Sequence, residues 1–496
     1  MTLLFFLLLL LLIALGEPLY LLIGGSAVLC FILFSHLGFG ELASPLLERI
    51  RSLADQQTLL AIPFFMLSGA VMSAGDISQR LIRFARALLG WLPGGIAISG
   101  ISACVMFALI TGSSTATLIA IGGLVYPALM KERYREDFSI GLVTTAGSIG
   151  ILVPPSLPMI IYCLFNNSNK VKIEELWLAG LGPALLIATC LVSYSMVVAV
   201  RDQTPRYPFS IRELLIATRD GFWALLLPGL TLGGIYSGVF TAVEAAASSA
   251  VYALLVEIYF HGGLKWRDVP RIFVDVTTLV GSFIIIIVMA MGLGDFFTVE
   301  GIPDRAAAWI TSLELSPFWF LLAVDLLLLI VGCLMDIMSA LMVFVPLVAP
   351  MAAAVGVDPV HLGIIFIVNL EVGYLTPPIG LNLFVASTMF KKPIGEVVRA
   401  VAPFVAIMLV GVLGVTYLPA IAMAPGEWLA TLQGPATLEA PSSGTTGGDS
   451  VGAPDAATDA AAPKAKVLSI EELMKQAGEA GDAGAGEGAG GDTDTP

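Results

Sequence analysis

The chain has 496 residues, of which 57% are hydrophobic and only 12% charged, with a mean hydropathy of +0.92. Soluble domains carry about 25% charged residues, so a water-soluble fold is excluded. Repeated apolar runs of roughly 20 residues imply an all-α polytopic membrane protein. Much of the net charge of −14 lies in the tail from Gly434, which holds 11 acidic and 3 basic residues. No nucleic-acid partner is expected.

In chain order, MTLLFFLLLLLLIALG resembles a signal-peptide core but lacks a basic n-region, and it reads as a retained helix. Residues 1–75 form N-terminal scaffold helices, with apolar segments at 3–15, 19–37 and 59–75. The stretch SPLLERIRSLADQQ is amphipathic and suits the membrane interface. A first repeat, 76–200, contains a long segment 91–130, a helix 138–165 and a further span 177–200. Central scaffold helices at 220–238 and 239–260 occupy residues 201–272. A second repeat, 273–425, contains spans 273–296 and 400–423, a long segment 317–353 and a helix 361–390. The Gly/Ala/Asp-rich tail 434–496 reads as disordered. Within it, residues 466–480 place Val467, Ile470, Leu473 and Met474 on one helical face, as a docking helix or, preferably, transient helicity.

Segments 91–130 and 317–353 are too long for one span, and each is interrupted near its centre. The first interruption, TGSSTAT, gathers Thr111, Gly112, Ser113, Ser114, Thr115 and Thr117. Sliding the chain against itself by 223 residues lays Ser113 on Asp336, Gly150 on Gly373, and Pro154-Pro155 on Pro377-Pro378. Both copies carry Gly-x-x-x-Pro-Pro, as GILVPP and GYLTPP, and the chain reads as a duplication. Lys and Arg mark cytoplasmic loops. The loop DISQRLIRFAR, with Arg80, Arg83 and Arg86, and the loop KERYRED flank 91–130, so this segment enters and leaves on one side as a re-entrant hairpin. Its counterpart 317–353 is followed by AAAVGVDPVH, with no Lys or Arg, and opens to the opposite face. Arg49 and Arg51 are exceptions to the charge rule. The two halves form an inverted repeat.

Unpaired backbone is tolerated at membrane depth only where protein buries it or it lines a cavity. In secondary transporters, discontinuous helices meet near the midplane. Half-helix N-termini there face anions, and freed carbonyls hold cations. Proline lacks an N–H and displaces the carbonyl four residues earlier, so the two Pro-Pro pairs should free the carbonyls of Gly150, Ile151, Gly373 and Tyr374. Gly112 lets the chain reverse at the first tip. Asp336 and Glu371 have a functional reading from position. Asp325, Asp295 and Glu244 fit an ion pathway or a buried hydrogen-bonding role equally. Cys30, Cys104, Cys163, Cys190 and Cys333 show no CxxC spacing. His36, His261 and His361 are scattered without HExxH, so neither enzyme chemistry nor a cofactor is expected.

These motifs resemble the large membrane subunit (DctM-like) of the TRAP, or tripartite ATP-independent periplasmic, transporters. The resemblance runs from about residue 17 to 425. It is carried by TGSSTAT, AGSIGILVPPSLPMIIY at 146–162, GVFTAVEAAASSAVYAL at 238–254 and GVDPVHLGIIFIVNLEVGYLTPPIGLNLFVA at 356–386. It implies a sodium-driven importer of a small organic acid in the bacterial inner membrane, working as an elevator. It also implies two separate partners, a small four-helix membrane subunit and a periplasmic substrate-binding protein. Carried over by residue, one sodium site uses Ser113, Gly150, Val153 and Pro155; the other uses Gly332, Gly373, Thr376 and Ile379. Substrate is implied near Ser113, Ser114, Thr376 and Asn382, with Gly112, Asp336, Asn369 and Glu371 supporting. The family's usual FTPTEAAA appears here as FTAVEAAA, which puts in doubt any role for the side chains of Ala242 and Val243. Two alternatives stand beside this reading: a stand-alone sodium/dicarboxylate carrier, and a membrane enzyme or non-transporting scaffold.

Overall fold

The structure, a computed structural model, describes residues 19–34, 51, 56–166, 171–205 and 207–433. The segment 3–15, His36, Arg49 and the tail 434–496 with its 466–480 stretch lie outside them. The described chain is helical without a strand, and eight of its helices are long and apolar enough to cross a membrane.

Two groups of helices emerge from the packing. Leu19–Phe34 and Ala61–Ala74 pack on Val269–Val299, and Ala61–Ala74 also lies along Ala242–Leu255. Val269–Val299 turns Phe273, Val274, Leu279, Ile284 and Ile285 outward, as a helix bathed in lipid should. The other group contains the two long interrupted segments, each a pair of helices: Gly95–Thr111 with Ser114–Lys131, and Pro317–Leu334 with Ile337–Ala354. The two arms of the first pair lie against each other. The first arm of the second pair packs mainly on Pro359–Tyr374.

Each pair is followed by a helix broken at its Pro-Pro. Glu136–Ser148 passes through a short 3-10 turn, Ile149–Ile151, into an irregular stretch, and helix resumes at Leu157–Phe165. Pro359–Tyr374 ends likewise before Leu381–Phe390. Both Pro-Pro peptides are cis. The helix after each break packs on the second arm of the opposite repeat: Leu157–Phe165 on Ile337–Ala354, and Leu381–Phe390 on Ser114–Lys131. The two copies therefore interlock rather than lying side by side.

Three helices differ from the sequence expectation. DISQRLIRFAR is not a loop, because Ile77–Leu89 is a helix that buries Ile77, Leu81 and Ala85, four residues apart on one face. Its arginines point the other way, where Arg83 pairs with the Asp220 carboxylate at 2.8 Å and Arg80 donates to the Asp220 carbonyl. The short helix Ile302–Ser312 and the final helix Ala420–Gln433 were also not anticipated; each is interrupted in sequence by charge or Pro, and each packs on a neighbour (Ile337–Ala354 and Ile173–Arg201).

At the rim, Lys392 donates to Glu136 at 2.9 Å and lies 3.9 Å from Glu396, tying the end of one broken helix to the start of the other. The Lys392 ammonium, helped by the Tyr126 hydroxyl, holds the Glu136 carboxyl below the usual carboxylate range. A lowered folded-state value means the contribution is present at neutral pH and is lost as pH falls through that value. Lys392→Ala should therefore flatten the acid side of the stability profile, measured as thermal unfolding midpoints from pH 7 down to pH about 3. An unchanged profile would remove the pair from the stabilising contacts.

Candidate functional site

The first tip is set by backbone geometry. Gly95–Thr111 ends at Gly112, whose φ of +57° is left-handed and suits a residue without Cβ. Ser113 then turns extended and caps Ser114–Lys131, its Oγ accepting the Ala116 N–H at 3.4 Å. The hydroxyls of TGSSTAT divide their work. Thr117 donates to the Ser113 carbonyl at 2.7 Å, and Thr111 lies 3.3 Å from Thr117. Ser113 and Thr115 stand 3.4 Å apart, both half-buried.

This tip presses on the first break. A Cβ on Gly112 would fall 1.8 Å from the Pro155 carbonyl oxygen, and one on Gly150 would fall 2.7 Å from the Ser113 carbonyl oxygen and 2.9 Å from Thr117 Oγ1. Ser113, Gly150 and Pro155 thus converge, with Val153 buried in the same irregular stretch. What they offer is neutral oxygen: backbone carbonyls and hydroxyls, the donor set a hard monovalent cation takes.

The second tip repeats the arrangement with different chemistry. Asp336 caps Ile337–Ala354, accepting the N–H groups of Met338 at 3.0 Å and Ser339 at 3.3 Å. Its other oxygen accepts the Tyr374 hydroxyl at 2.5 Å, and that hydroxyl accepts the Ile337 N–H. Asp336 is therefore a helix cap locked to the second broken helix. Gly332 and Gly373 meet backbone to backbone: a Cβ on Gly373 would lie 2.5 Å from Gly332 Cα. Ile379 donates its N–H to the Cys333 carbonyl at 3.1 Å, across the gap between tip and break. The Gly373 carbonyl accepts the Thr376 N–H at 2.9 Å, while the Thr376 hydroxyl donates to the Val372 carbonyl at 2.8 Å. The Gly373 carbonyl keeps one lone pair engaged, and the Thr376 oxygen keeps its acceptor capacity.

Between the two tips lies a buried polar triad. Ser114 donates to Glu371 Oε1 at 3.0 Å; Asn382 Nδ2 reaches Ser114 Oγ at 2.5 Å and Glu371 Oε1 at 3.3 Å. It joins the first tip to both halves of the second broken helix. All three side chains are buried.

The family described as "Tripartite ATP-independent periplasmic transporter, DctM component" matches residues 6–421. A Pseudomonas aeruginosa C4-dicarboxylate TRAP transporter large permease protein DctM is 41% identical over 408 residues, 82% of this chain and 94% of that protein. The chain belongs to the TRAP transporter DctM family. An Oleidesulfovibrio alaskensis isethionate TRAP transporter permease protein, DctMQ, is 37% identical over 377 residues, 74% of this chain and 58% of that one. Among solved structures, the Alcanivorax borkumensis YdaH transporter shares the fold, with a TM-score of 0.58 at 14% identity over 83% of this chain and 96% of that one. As a TRAP large permease the chain is a multi-pass inner-membrane transport protein, and its relatives are permeases rather than enzymes.

Not every residue singled out in this DctM chain joins the tips. Asn369 donates to Asp325 at 2.8 Å, one turn below Gly373. Glu244 forms a capping box with Thr241 at the exposed start of Ala242–Leu255, so the acid of FTAVEAAA is spent on its own helix end. Asp295 is half-buried on Val269–Val299. Sequence reasoning missed Glu257. Fully buried in a π-turn, it accepts the N–H groups of Asp76 at 3.1 Å and Ile77 at 3.0 Å. It thereby pins the start of Ile77–Leu89 from 180 residues away. Its one available signal was an acid near the end of an apolar run.

Proposed function

We propose that this permease imports a small organic acid, driven by sodium, with Ser113, Gly150, Val153 and Pro155 forming one cation site and Gly332, Gly373, Thr376 and Ile379 the other. The observation that carries this reading is the close approach of tip and break in both repeats, Gly112 and Gly150 in the first and Gly332 and Gly373 in the second. Such packing brings peptide oxygens together, and two half-helix N-termini beside them favour an anion. Substrate then sits against the half-buried Ser113 and Thr376, with Ser114 and Asn382 holding the surface from beneath.

The two pairs form re-entrant hairpins and move with the broken helices as an elevator. The helices packed around Val269–Val299 serve as the scaffold. Ile77–Leu89, which packs on both Ile211–Tyr236 and Gly95–Thr111, carries motion between them. A periplasmic binding protein delivers substrate, and a small permease subunit widens the scaffold; the DctMQ name of the isethionate relative, longer than its matched region, agrees with such a pairing. The relatives' names carry varied substrates, C4-dicarboxylate, isethionate and ectoine, and the reading of a small organic acid is supported by the first two.

Thr376→Val keeps the shape and removes one oxygen from the second cation site. Uptake into vesicles containing the permease and its partners should then need about tenfold more sodium for half-maximal rate, the equivalent of roughly 1.4 kcal/mol. An unaltered sodium requirement would strike Thr376 from the ligands, and uptake without a sodium gradient would end the sodium reading altogether.

A further inference from the structure

Asp325 and Asn369 lie beneath the second tip, on the faces that bear Gly332 and Gly373: Asp325 is two turns before Gly332, and Asn369 one turn before Gly373. Asp325 is 3% exposed, Asn369 0% and Thr416, on Ile394–Tyr417, 1%. Asp325 Oδ1 accepts twice, from Asn369 Nδ2 at 2.8 Å and from Thr416 Oγ1 at 3.1 Å. Its Oδ2 and the Asn369 Oδ1 are both buried acceptors without a donor.

A carboxylate at this depth needs a counter-charge or a proton. Among the described residues no ion pair reaches Asp325. The titratable groups on the elements packed around it are occupied elsewhere. Glu371 is held through Oε1 by Ser114 and Asn382, its Oε2 being likewise without a donor; Asp336 and Tyr374 bond each other, His361 Nε2 meets the Val415 carbonyl, and Tyr417 donates to the Phe318 carbonyl. On Ile394–Tyr417, Glu396 faces Lys392, and Arg399 lies 17 residues before Thr416, roughly 25 Å along the helix. A sodium ion would want several free oxygens, and this cluster leaves two. One proton on Oδ2 is the donor that both acceptors lack, completing an acid–amide pair with Asn369.

We propose that Asp325 is a proton-binding site inside the second repeat, separate from the sodium sites. The proton lets an acid sit beside the tip without adding negative charge under the cation site. In this arrangement Asn369 is a positioning residue, because its Nδ2 holds Asp325 Oδ1.

The test is infrared spectroscopy of the full-length protein in lipid vesicles, wild type with and without carboxyl-labelled aspartate, alongside Asp325→Asn and Glu371→Gln. The expected result is a non-ionised carboxyl band that grows as pH is lowered from about 8 to about 6, shifts with the aspartate label and ignores added sodium. It should vanish in Asp325→Asn and persist in Glu371→Gln. Absence of a label-shifted band in folded wild type overturns the proposal, as does its survival in Asp325→Asn. Loss of the band on adding sodium at fixed pH also overturns it, in favour of a metal-ion site. Should Asp325→Asn fail to insert, the wild-type band, its label shift and its indifference to sodium decide the matter. The readout needs no transport, so failure of the sodium-import reading leaves it intact.

Discussion

Gly112→Ala and Gly373→Ala should each weaken sodium-driven uptake by roughly ten- to a hundredfold, while Gly123→Ala should leave it near the wild-type rate. The expected gap follows from what a single methyl would meet. At Gly112 it would fall 1.8 Å from the Pro155 carbonyl oxygen, on a residue already at φ +57°. At Gly373 it would meet the Gly332 backbone at 2.5 Å. Neither obstacle is a flexible side-chain end, so tip and break must part. Forced overpacking costs about 1–3 kcal/mol, and 1.4 kcal/mol is a factor of about ten in binding. Gly123 has open space around the same position, and alanine there gains helix propensity. Sodium titrations of uptake check all three variants. Equal sodium dependence in Gly112→Ala, Gly373→Ala and wild type would dissociate the cation sites from the tip–break contacts.

How much of this was legible beforehand depends on the range over which each feature acts. The breaks at Pro154-Pro155 and Pro377-Pro378 are local, because a missing N–H ends a helix wherever it stands. Their match at a constant offset exposed the duplication. The tips were visible for the same reason, with Gly112 and the hydroxyls clustered in seven residues. From sequence Ile77–Leu89 reads as a loop, because three arginines outweigh the four-residue spacing of Ile77, Leu81 and Ala85. Charge there hides the helix. Asp325 could be placed at depth, but not given its partners: Asn369 and Thr416 lie 44 and 91 residues away. Hydrophobic periodicity says which face is buried and nothing about which polar groups meet inside. Glu257 capping Ile77–Leu89 belongs to the same class.

Glu371→Ala should lower the thermal unfolding midpoint of the purified permease and reduce uptake at least about tenfold, although Glu371 lines neither cation site. Without its carboxylate, the Ser114 hydroxyl and one Asn382 N–H lose a buried acceptor, and each buried group left unsatisfied costs about 1–3 kcal/mol. Glu371→Gln keeps an acceptor at Oε1 and should retain most of the stability. The sharper measurement is a double-mutant cycle with Ser114→Ala, since Ser114 sits on the first tip and Glu371 on the second broken helix, 257 residues apart in sequence. Residues sharing one network couple by about 0.5–3 kcal/mol. Coupling in stability and in uptake alike would mean that the triad transmits position from one repeat's tip to the other's break, so that neither moves alone. Coupling in stability with none in uptake would reduce the triad to a packing device. Strict additivity in both would mean that the two repeats are held together by the crossed helix contacts alone.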